Sequence, residues 1–180
     1  MHFDEIWTPQ WQQESLADLV KSTNHLQGEV IEIGTHQGLS AIPIANAAYP
    51  VLLHAVDHWK GSPDIPKEIS DRNNFGQFVE NILEGTKGNI CIHQQDWREF
   101  AKEWEEEARF PDEEIRFLYL DAGHTTKEVT DQITAFKYHI VPGGIIAGDD
   151  YGWPEVQLAV RKQFPLSDIN IEKDKLWWIQ

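Results

Sequence analysis

The sequence predicts an α/β protein of the Rossmann-like class, with a mostly parallel sheet, helices on both faces and a terminal antiparallel hairpin. Short apolar segments with strand character alternate with segments of helical pattern along most of the 180 residues. Crossovers of helix length make consecutive strands parallel and cover both faces of the sheet. The last two apolar segments have no helix between them, so we expect them to form a hairpin that adds an antiparallel strand at the edge.

The first predicted element is a helix over residues 9–24. Thr8 is expected to cap this helix and Pro9 to occupy its first position. Apolar residues from Trp11 to Val20 then recur at helical spacing. This helix precedes the alternating pattern, so we treat it as an N-terminal segment.

Strands and helices alternate from residue 29 onward. The predicted strands span residues 29–34, 51–57, 89–94, 115–121, 143–149, 168–173 and 175–180. The predicted helices span residues 38–48, 74–84, 97–107, 125–139 and 154–164. Residues 58–72 are a loop rich in proline, glycine and charge, of a length that is often functional. We therefore expect one domain over 1–180, with a helical segment at 1–27 and a core at 28–180.

The charge and cysteine content exclude several classes of partner. The chain has 15 basic and 30 acidic residues, a formal net charge of −15, which repels nucleic acids and anionic membranes. Its single cysteine, Cys91, cannot form an intrachain disulfide and fits a reducing compartment. Residues 1–14 do not resemble a signal peptide, and no apolar stretch reaches the length of a membrane span. We expect a cytoplasmic protein that binds neither nucleic acid nor membrane.

Acidic residues follow four of the predicted strands. Asp57, Asp121 and Asp149 end three of them, and Asp96 comes just after a fourth. Ligands of parallel α/β sheets bind outside the carboxyl ends of the strands. The binding site is therefore expected at that edge of the sheet.

Two glycines bracket the turn after the first strand of the core. Gly34 and Gly38 permit positive φ and the close approach of a ligand, and the following helix offers free N–H groups. His36 and Leu39 break the dinucleotide fingerprint G-x-G-x-x-G, whereas the spacing from Glu32 onward fits E-x-G-x-x-x-G. A plain tight turn is the alternative reading of these glycines.

Asp57 ends the second core strand, where an acid can accept both hydroxyls of a ribose. The alternative is a solvated loop acid. The glycine turn and Asp57 support each other, because one nucleoside ligand would need both.

Two longer motifs carry a family resemblance. They are Leu120-Asp121-Ala122-Gly123-His124 and the segment GGIIAGDDY at residues 143–151. With the glycine turn, they resemble class I S-adenosylmethionine-dependent methyltransferases, in particular the compact group with I-D-G-D-H after the fourth strand and G-G-x-x-x-x-H-D-Y at the fifth. The resemblance covers residues 28–165. Ala122 replaces a glycine of the pattern, and Gly123 stands where an acid is usual, so any catalytic role of that acid is absent.

The resemblance implies methyl transfer from S-adenosylmethionine to a small-molecule acceptor, with a hydroxyl oxygen as the expected target. Asp57 would hold the ribose, and Asp96 and Trp97 would flank the adenine. The residues implied around the rest of the cofactor, chiefly its methionine part, are Glu32, Gly34, Thr35 and Gly38.

Three acids form a predicted metal site, namely Asp121, Asp149 and Asp150. Converging carboxylates repel unless a cation lies among them, and a hard divalent cation such as Mg²⁺ prefers oxygen ligands. Neighbours on a regular strand point to opposite faces, so the acid pair can share an ion only if the strand breaks, which Gly148 and Gly152 permit. The alternative is that no metal binds and Asp150 faces solvent or caps the next helix.

His124 follows the predicted fourth strand and is the candidate general base, because an unperturbed imidazole titrates near neutral pH. Together with Asp121 it forms the predicted catalytic pair. A metal-ligand role and a structural hydrogen bond are the alternatives for His124.

Aromatic residues in loops beyond the strand ends are predicted to line the substrate pocket. Trp59, Tyr151 and Trp153 would form an apolar wall over the cofactor or substrate. Most other tryptophans, including Trp7, are expected to be packing residues.

Two other functions stay open at this point. One is an oxidoreductase with a nicotinamide cofactor, against which the missing glycines argue. The other is a non-catalytic cofactor-binding module whose pocket a partner completes, and a homo-oligomer is compatible with the sequence.

Overall fold

The computed structural model describes residues 1–61, 66–106 and 114–180. Part of the predicted loop at 58–72 and the last residue of the predicted helix 97–107 lie outside these ranges. Within them, the fold is the predicted α/β arrangement, a seven-stranded sheet with helices on both faces.

The sheet has the strand order β3-β2-β1-β4-β5-β7-β6. Strands β1 to β5 pair in parallel, β7 pairs antiparallel with β5, and β6 and β7 form the predicted hairpin. The strands are β1 Glu29–Ile33, β2 Leu53–Asp57, β3 Ile90–Gln94, β4 Ile115–Leu120, β5 Ile140–Gly148, β6 Asn170–Glu172 and β7 Leu176–Ile179. The predicted helical crossovers between the five parallel strands are confirmed, and α7 leads from β5 to the hairpin.

The helices match the predicted ones within a few residues, with a short additional helix in the loop after β2. They are α1 Gln10–Ser22, α2 Ala41–Ala48, α3 Lys67–Ser70, α4 Asn74–Gly85, α5 Trp97–Glu106, α6 Thr126–Phe136 and α7 Pro154–Gln163. The prediction for the start of α1 was wrong by one residue, because Pro9 is the N-cap and no side chain caps the helix. α2 starts three residues later than predicted, since the turn with Gly38 at φ 89° precedes it.

Two apolar layers hold the helices to the sheet. One layer contains buried residues of α1, α2 and α4, and the other those of α5, α6 and α7. Strand β4 supplies both: Phe117 and Tyr119 face the first layer, and Leu118 and Leu120 face the second. Burial on both sides explains why β4 is apolar on both of its faces, with Arg116 as its one charged residue, rather than alternating.

None of the helices in the described ranges is long and apolar enough to cross a bilayer.

Candidate functional site

A cavity of about 440 Å³ opens at the carboxyl ends of the central strands. Small-molecule sites commonly have volumes of roughly 300–1,000 Å³. Predicted site residues make up much of its lining, namely Gly34, Thr35, Asp57, Trp59, Asp96, Trp97, Asp121, His124, Asp149, Asp150 and Trp153. The topology therefore brings together the strand-end acids that the sequence singled out.

Glu32 and Gly38, which the resemblance assigned to the cofactor, lie behind this lining. Glu32 has no exposed surface, and the Ser40 hydroxyl donates a hydrogen bond to its Oε1. Burial raises the pKa of Glu32 to about 8, and the hydrogen bond from Ser40 opposes that rise. A Cβ on Gly38 would lie 3.2 Å from both Ile82 and Phe78, so this glycine allows α4 to pack against the turn.

Gly34 is needed for a contact between two loops of the protein. Its φ is 87°, and a Cβ there would lie 2.0 Å from the carbonyl oxygen of Asp121. Positive φ was expected at this turn, but the chain that approaches Gly34 closely is the backbone after β4. The glycine loop and the loop of Asp121 are thus fixed against each other.

Asp57 binds backbone amides of two loops. Its Oδ2 accepts hydrogen bonds from the N–H groups of Thr35 at 3.0 Å and His36 at 2.9 Å. Its Oδ1 accepts one from the N–H of Trp59 at 2.6 Å. The carboxylate therefore holds the glycine turn in place, and its predicted contact with a ribose would use its remaining lone pairs.

Trp59 contributes to the cavity wall from within the core. Only 8% of the residue is exposed, and its ring packs against Phe75 and Phe78. Its indole N–H donates to the carbonyl oxygen of His36 at 2.6 Å. Trp59 thus links the loop after β2 to the glycine turn.

The third region of the cavity lies after β3. Asp96 Oδ1 accepts a hydrogen bond from the backbone N–H of Arg98 at 2.8 Å. The Arg98 guanidinium lies 4.4 Å from the ring centroid of Trp97 and 3.4 Å from Glu128 Oε1. Arg98 therefore covers one face of the indole and connects it to α6.

Glu128 places a carboxylate beside Gly123. A Cβ on Gly123 would lie 2.0 Å from Glu128 Oε2, so the carboxylate fills the space that a side chain at that position would need. Glu128 lines the cavity as well. The acid absent from the motif is thus matched by a carboxylate from the first turn of α6, a residue that sequence reasoning missed.

The acid pair after β5 faces a lysine from the C-terminal hairpin. Lys175 Nζ lies 2.8 Å from Asp149 Oδ2 and 3.3 Å from Asp150 Oδ1. The strand ends at Gly148, and Asp150 has φ 56°, so both side chains turn toward one cation as the predicted strand break requires. The cation that the structure places there is an ammonium group.

Asp149 is almost completely occupied by protein donors. Its Oδ1 accepts from the side-chain amide of Gln12 at 3.0 Å and from the backbone N–H of Asp150 at 2.7 Å. Lys175 occupies its other oxygen. Burial raises the pKa of Asp149, and contact with Lys175 opposes that rise. Burial alone would lower the pKa of Lys175, but the acids raise it, so the lysine stays protonated.

A second group consists of Asp121, His124 and Asp150, and it shares Asp150 with the acid pair. His124 Nε2 lies 3.1 Å from Asp150 Oδ2, and its ring centroid lies 4.9 Å from that of Trp153. One ligand atom from each of the three residues lies within 4.8 Å of the others. Burial raises the pKa of Asp121 well above its usual value, and repulsion from Asp149 and Asp150 adds to the rise.

The position of Tyr151 does not fit the predicted substrate contact. Only 1% of the residue is exposed, and its hydroxyl accepts a hydrogen bond from Arg161 Nε at 3.1 Å within the layer under α7. Trp153, by contrast, is 45% exposed and lines the cavity. The turn after β5 sends one aromatic residue inward and the other outward.

The N-terminal segment contributes residues that the sequence did not assign to the site. Phe3, Glu5 and Trp7 line the cavity, and 41% of Trp7 is exposed, which is not the packing position expected for it. Gln12 has a signal in the sequence, because it lies four residues before Leu16 on the buried stripe of α1.

The comparisons with known proteins agree with this geometry. Residues 31–151, more than half of the chain, match the model of a family described as a methyltransferase domain. No curated protein sequence matches the chain.

Solved structures of methyltransferases share the fold. A calicheamicin methyltransferase aligns with a TM-score of 0.74 and 16% identity over 96% of this chain and 80% of that one. The O-methyltransferase TomG from Streptomyces achromogenes, involved in tomaymycin synthesis and solved with SAM, gives 0.70 and 14% over 98% and 82%. An O-methyltransferase from Bacillus cereus, solved with SAH, gives 0.67 and 16% over 95% and 81%.

Proposed function

This chain belongs to the methyltransferase-domain family, and we propose that it transfers a methyl group from S-adenosylmethionine to a hydroxyl oxygen of a small molecule. The observation that carries the proposal is the position of His124, Asp121 and Asp150 on the wall of the cavity that also contains the glycine turn. Family membership favours this function over the nicotinamide-dependent alternative.

The cofactor half of the cavity is assigned to Gly34, Thr35, Asp57, Asp96 and Trp97. The cofactor supplies an electrophilic methyl group, so the protein mainly has to align the acceptor and assist its deprotonation. Backbone atoms of the glycine turn would bind the methionine part and Asp57 the ribose. The indole of Trp97 would lie against the adenine, with Asp96 beside it.

The acceptor half is assigned to the group around His124. His124 would accept the proton of the hydroxyl at its other ring nitrogen, while Asp150, 3.1 Å from Nε2, would orient the ring and stabilise the imidazolium. Lys175 fixes Asp150 from the other side. A positioned base of this kind contributes roughly 10²–10⁴ in rate.

The same group fits a hard divalent cation. Two carboxylates and an imidazole within 4.8 Å are a suitable donor set, and such an ion would lower the pKa of the acceptor hydroxyl. We propose Asp121, His124 and Asp150 as its ligands rather than the predicted set with Asp149, because Gln12, Asp150 N–H and Lys175 occupy Asp149.

The acceptor class is supported by the surroundings of the cavity. The rings of Trp7 and Trp153 are each more than two-fifths exposed and offer apolar faces at its lining. The names of the solved neighbours include a TDP-rhamnose 3'-O-methyltransferase and an O-methyltransferase involved in tomaymycin synthesis. A cytoplasmic location, the lack of a nucleic-acid partner and a homo-oligomeric state stay predictions from the sequence.

Calorimetry and methyl transfer test the proposal in sequence. S-adenosylhomocysteine should bind and raise the Tm, while NAD should do neither. With an accepted hydroxyl compound, His124→Ala and Asp150→Asn should each lower kcat by roughly 10²–10⁴. The exposed His25→Ala is the matched control. Binding of NAD in place of S-adenosylhomocysteine would contradict the proposal.

Chelation separates the two routes for the proton. If a divalent cation takes part, a chelator should abolish turnover and Mg²⁺ should restore it. If His124 acts as the base alone, the chelator should leave turnover unchanged while His124→Ala still removes it.

A further inference from the structure

A second group of metal-ligating side chains lies on the opposite part of the sheet from the acid pair. His54 on β2 and Cys91 and His93 on β3 each offer one ligand atom, and these atoms all lie within 4.8 Å of one another. His54 is the register partner of Cys91, and His93 follows two residues later, so the three side chains leave the same face of the sheet. None of the three is part of the described lining of the cavity.

The two imidazoles already point nitrogen atoms at each other. His54 Nδ1 lies 3.0 Å from His93 Nε2, and the rings stack with an interplanar angle of 13°. On its other side, His54 Nε2 lies 3.4 Å from Glu29 Oε2. If Nε2 carries the proton that faces this carboxylate, Nδ1 directs its lone pair toward His93. Carboxylates that hold a histidine in this way are common behind metal-binding imidazoles.

Helix α5 covers this group on one side. The Phe100 ring lies 4.8 Å from that of His93, and the Trp104 ring lies 5.7 Å from that of His54. Cys91 and His93 remain partly exposed, so an ion can reach them from solvent.

We propose that His54, Cys91 and His93 bind a transition-metal cation of the zinc class, with water as a fourth ligand. Two imidazoles and a thiolate favour zinc over magnesium or calcium, which prefer oxygen. Binding releases the Cys91 thiol proton to solvent and involves no change of oxidation state. Glu29 supports the site by holding His54. The site would tie the edge strand β3 to β2, away from the methyl-transfer chemistry.

Cobalt(II) is the probe for the site, because its spectrum reports thiolate ligation. Metal-free wild-type protein should give a near-ultraviolet thiolate-to-cobalt band that saturates when one equivalent of cobalt is bound at this site, and zinc should abolish the band. Cys91 is the single cysteine of the sequence, so that charge-transfer band can come from no other residue. Zinc should also raise the Tm of the wild-type protein.

Matched variants complete the test. Cys91→Ser should lose the charge-transfer band and the zinc-dependent rise in Tm, and Glu29→Gln should weaken binding roughly 10–100-fold. His25→Ala and Asp150→Asn, remote from the site, should retain both signals. Should His93→Gln fail to fold, Cys91→Ser on the same strand still decides the question. The proposal would be overturned if the wild-type protein showed no thiolate-to-cobalt band. It would also be overturned if a folded His93→Gln variant showed the band and bound cobalt with the affinity of the wild-type protein.

Discussion

Asp57 and Asp149 both lie at the carboxyl end of a parallel strand, yet different groups neutralise their carboxylates. Asp57 accepts hydrogen bonds from three backbone N–H groups, whereas Asp149 accepts one and also contacts the ammonium of Lys175 and the side-chain amide of Gln12. Backbone amides carry no proton that can leave at neutral pH, so Asp57 mainly fixes the shape of the cofactor half of the cavity. The acceptor half of the cavity contains the imidazole of His124, the ammonium of Lys175 and three acids, and these groups can hold or move protons.

The largest expected effect tests whether the glycine turn in the cofactor half of the cavity is held against the loop of Asp121. Gly34→Ala should lower the free energy of unfolding by more than about 3 kcal/mol, because positive φ costs about 1–2 kcal/mol and the clash with the Asp121 carbonyl adds to it. Gly88→Ala is the matched control, with a similar φ of 81° and nothing within 4 Å of the added Cβ. Equal losses in urea denaturation of the two variants would show that the contact with Asp121 does not matter.

The next largest effect tests whether Asp57 stabilises the loops, binds the ligand or does both. Asp57→Ala should destabilise the protein by roughly 2–4 kcal/mol, since it leaves three backbone donors without their charged acceptor. Calorimetry should show weaker binding of S-adenosylhomocysteine in the same variant. Unchanged stability with lost affinity would instead mean that Asp57 serves only the ligand. Asp149→Asn, which retains a side-chain acceptor and leaves Asp150 for Lys175, is the comparison from the other half.

The pH dependence of the free energy of unfolding tests Glu32, the buried acid behind the cofactor half of the cavity. The folded pKa of Glu32, about 8, exceeds its ordinary value of 4.5, so the folded state binds the proton more tightly. The contribution of Glu32 to stability is therefore lost as pH rises from 4.5 to about 8. This loss has a slope of at most about 1.4 kcal/mol per pH unit.

Glu32→Gln should remove that slope, and the exposed Glu80→Gln should retain it. Urea denaturation at several pH values between 5 and 9 checks the difference between the variants and the wild-type protein. Parallel curves for Glu32→Gln and wild type would contradict the assignment of this slope to Glu32.

The smallest effects on stability distinguish the two aromatic residues after β5. Trp153→Ala should lower the free energy of unfolding by only about 1 kcal/mol, because 45% of the residue is exposed and its ring packs beside that of His124. It should nevertheless lower kcat/KM by removing part of the cavity wall. Tyr151→Phe should cost about 1 kcal/mol through the lost hydrogen bond from Arg161 and leave kcat/KM unchanged. The reverse pattern would place Tyr151 at the substrate.

The local pattern of the sequence was sufficient for the strands, the helices and the edge at which the acids meet. Strand ends follow from apolar runs and glycines, and the edge follows from parallel connections. What the pattern could not specify is the direction of each side chain after a strand ends. Tyr151 lies inside and Trp153 outside a turn in which Asp150 takes a positive φ, a conformation that the residue pattern did not predict.

The counter-ion of the acid pair shows a different limit. Lys175 is 25 residues from Asp150 along the chain and reaches it only because the hairpin folds back beside β5. The sequence predicted that the acids need a cation, and electrostatics alone could not distinguish a metal from an ammonium. Glu32 and Gly38 show another limit of the sequence pattern. Both residues fit the spacing of the motif, yet they lie behind the residues that line the cavity.

The hydrogen bond from Gln12 to Asp149 has a consequence for how this protein could diverge or be redesigned. Residues ahead of β1 supply both a partner for a central acid and, through Phe3, Glu5 and Trp7, part of the cavity wall. The same segment contacts the glycine turn, because the Trp7 ring lies 4.8 Å from that of His36 and the Gln37 side chain exchanges hydrogen bonds with Asp4. We therefore expect chimeras joined just before Gly28 to change substrate choice and cofactor affinity together.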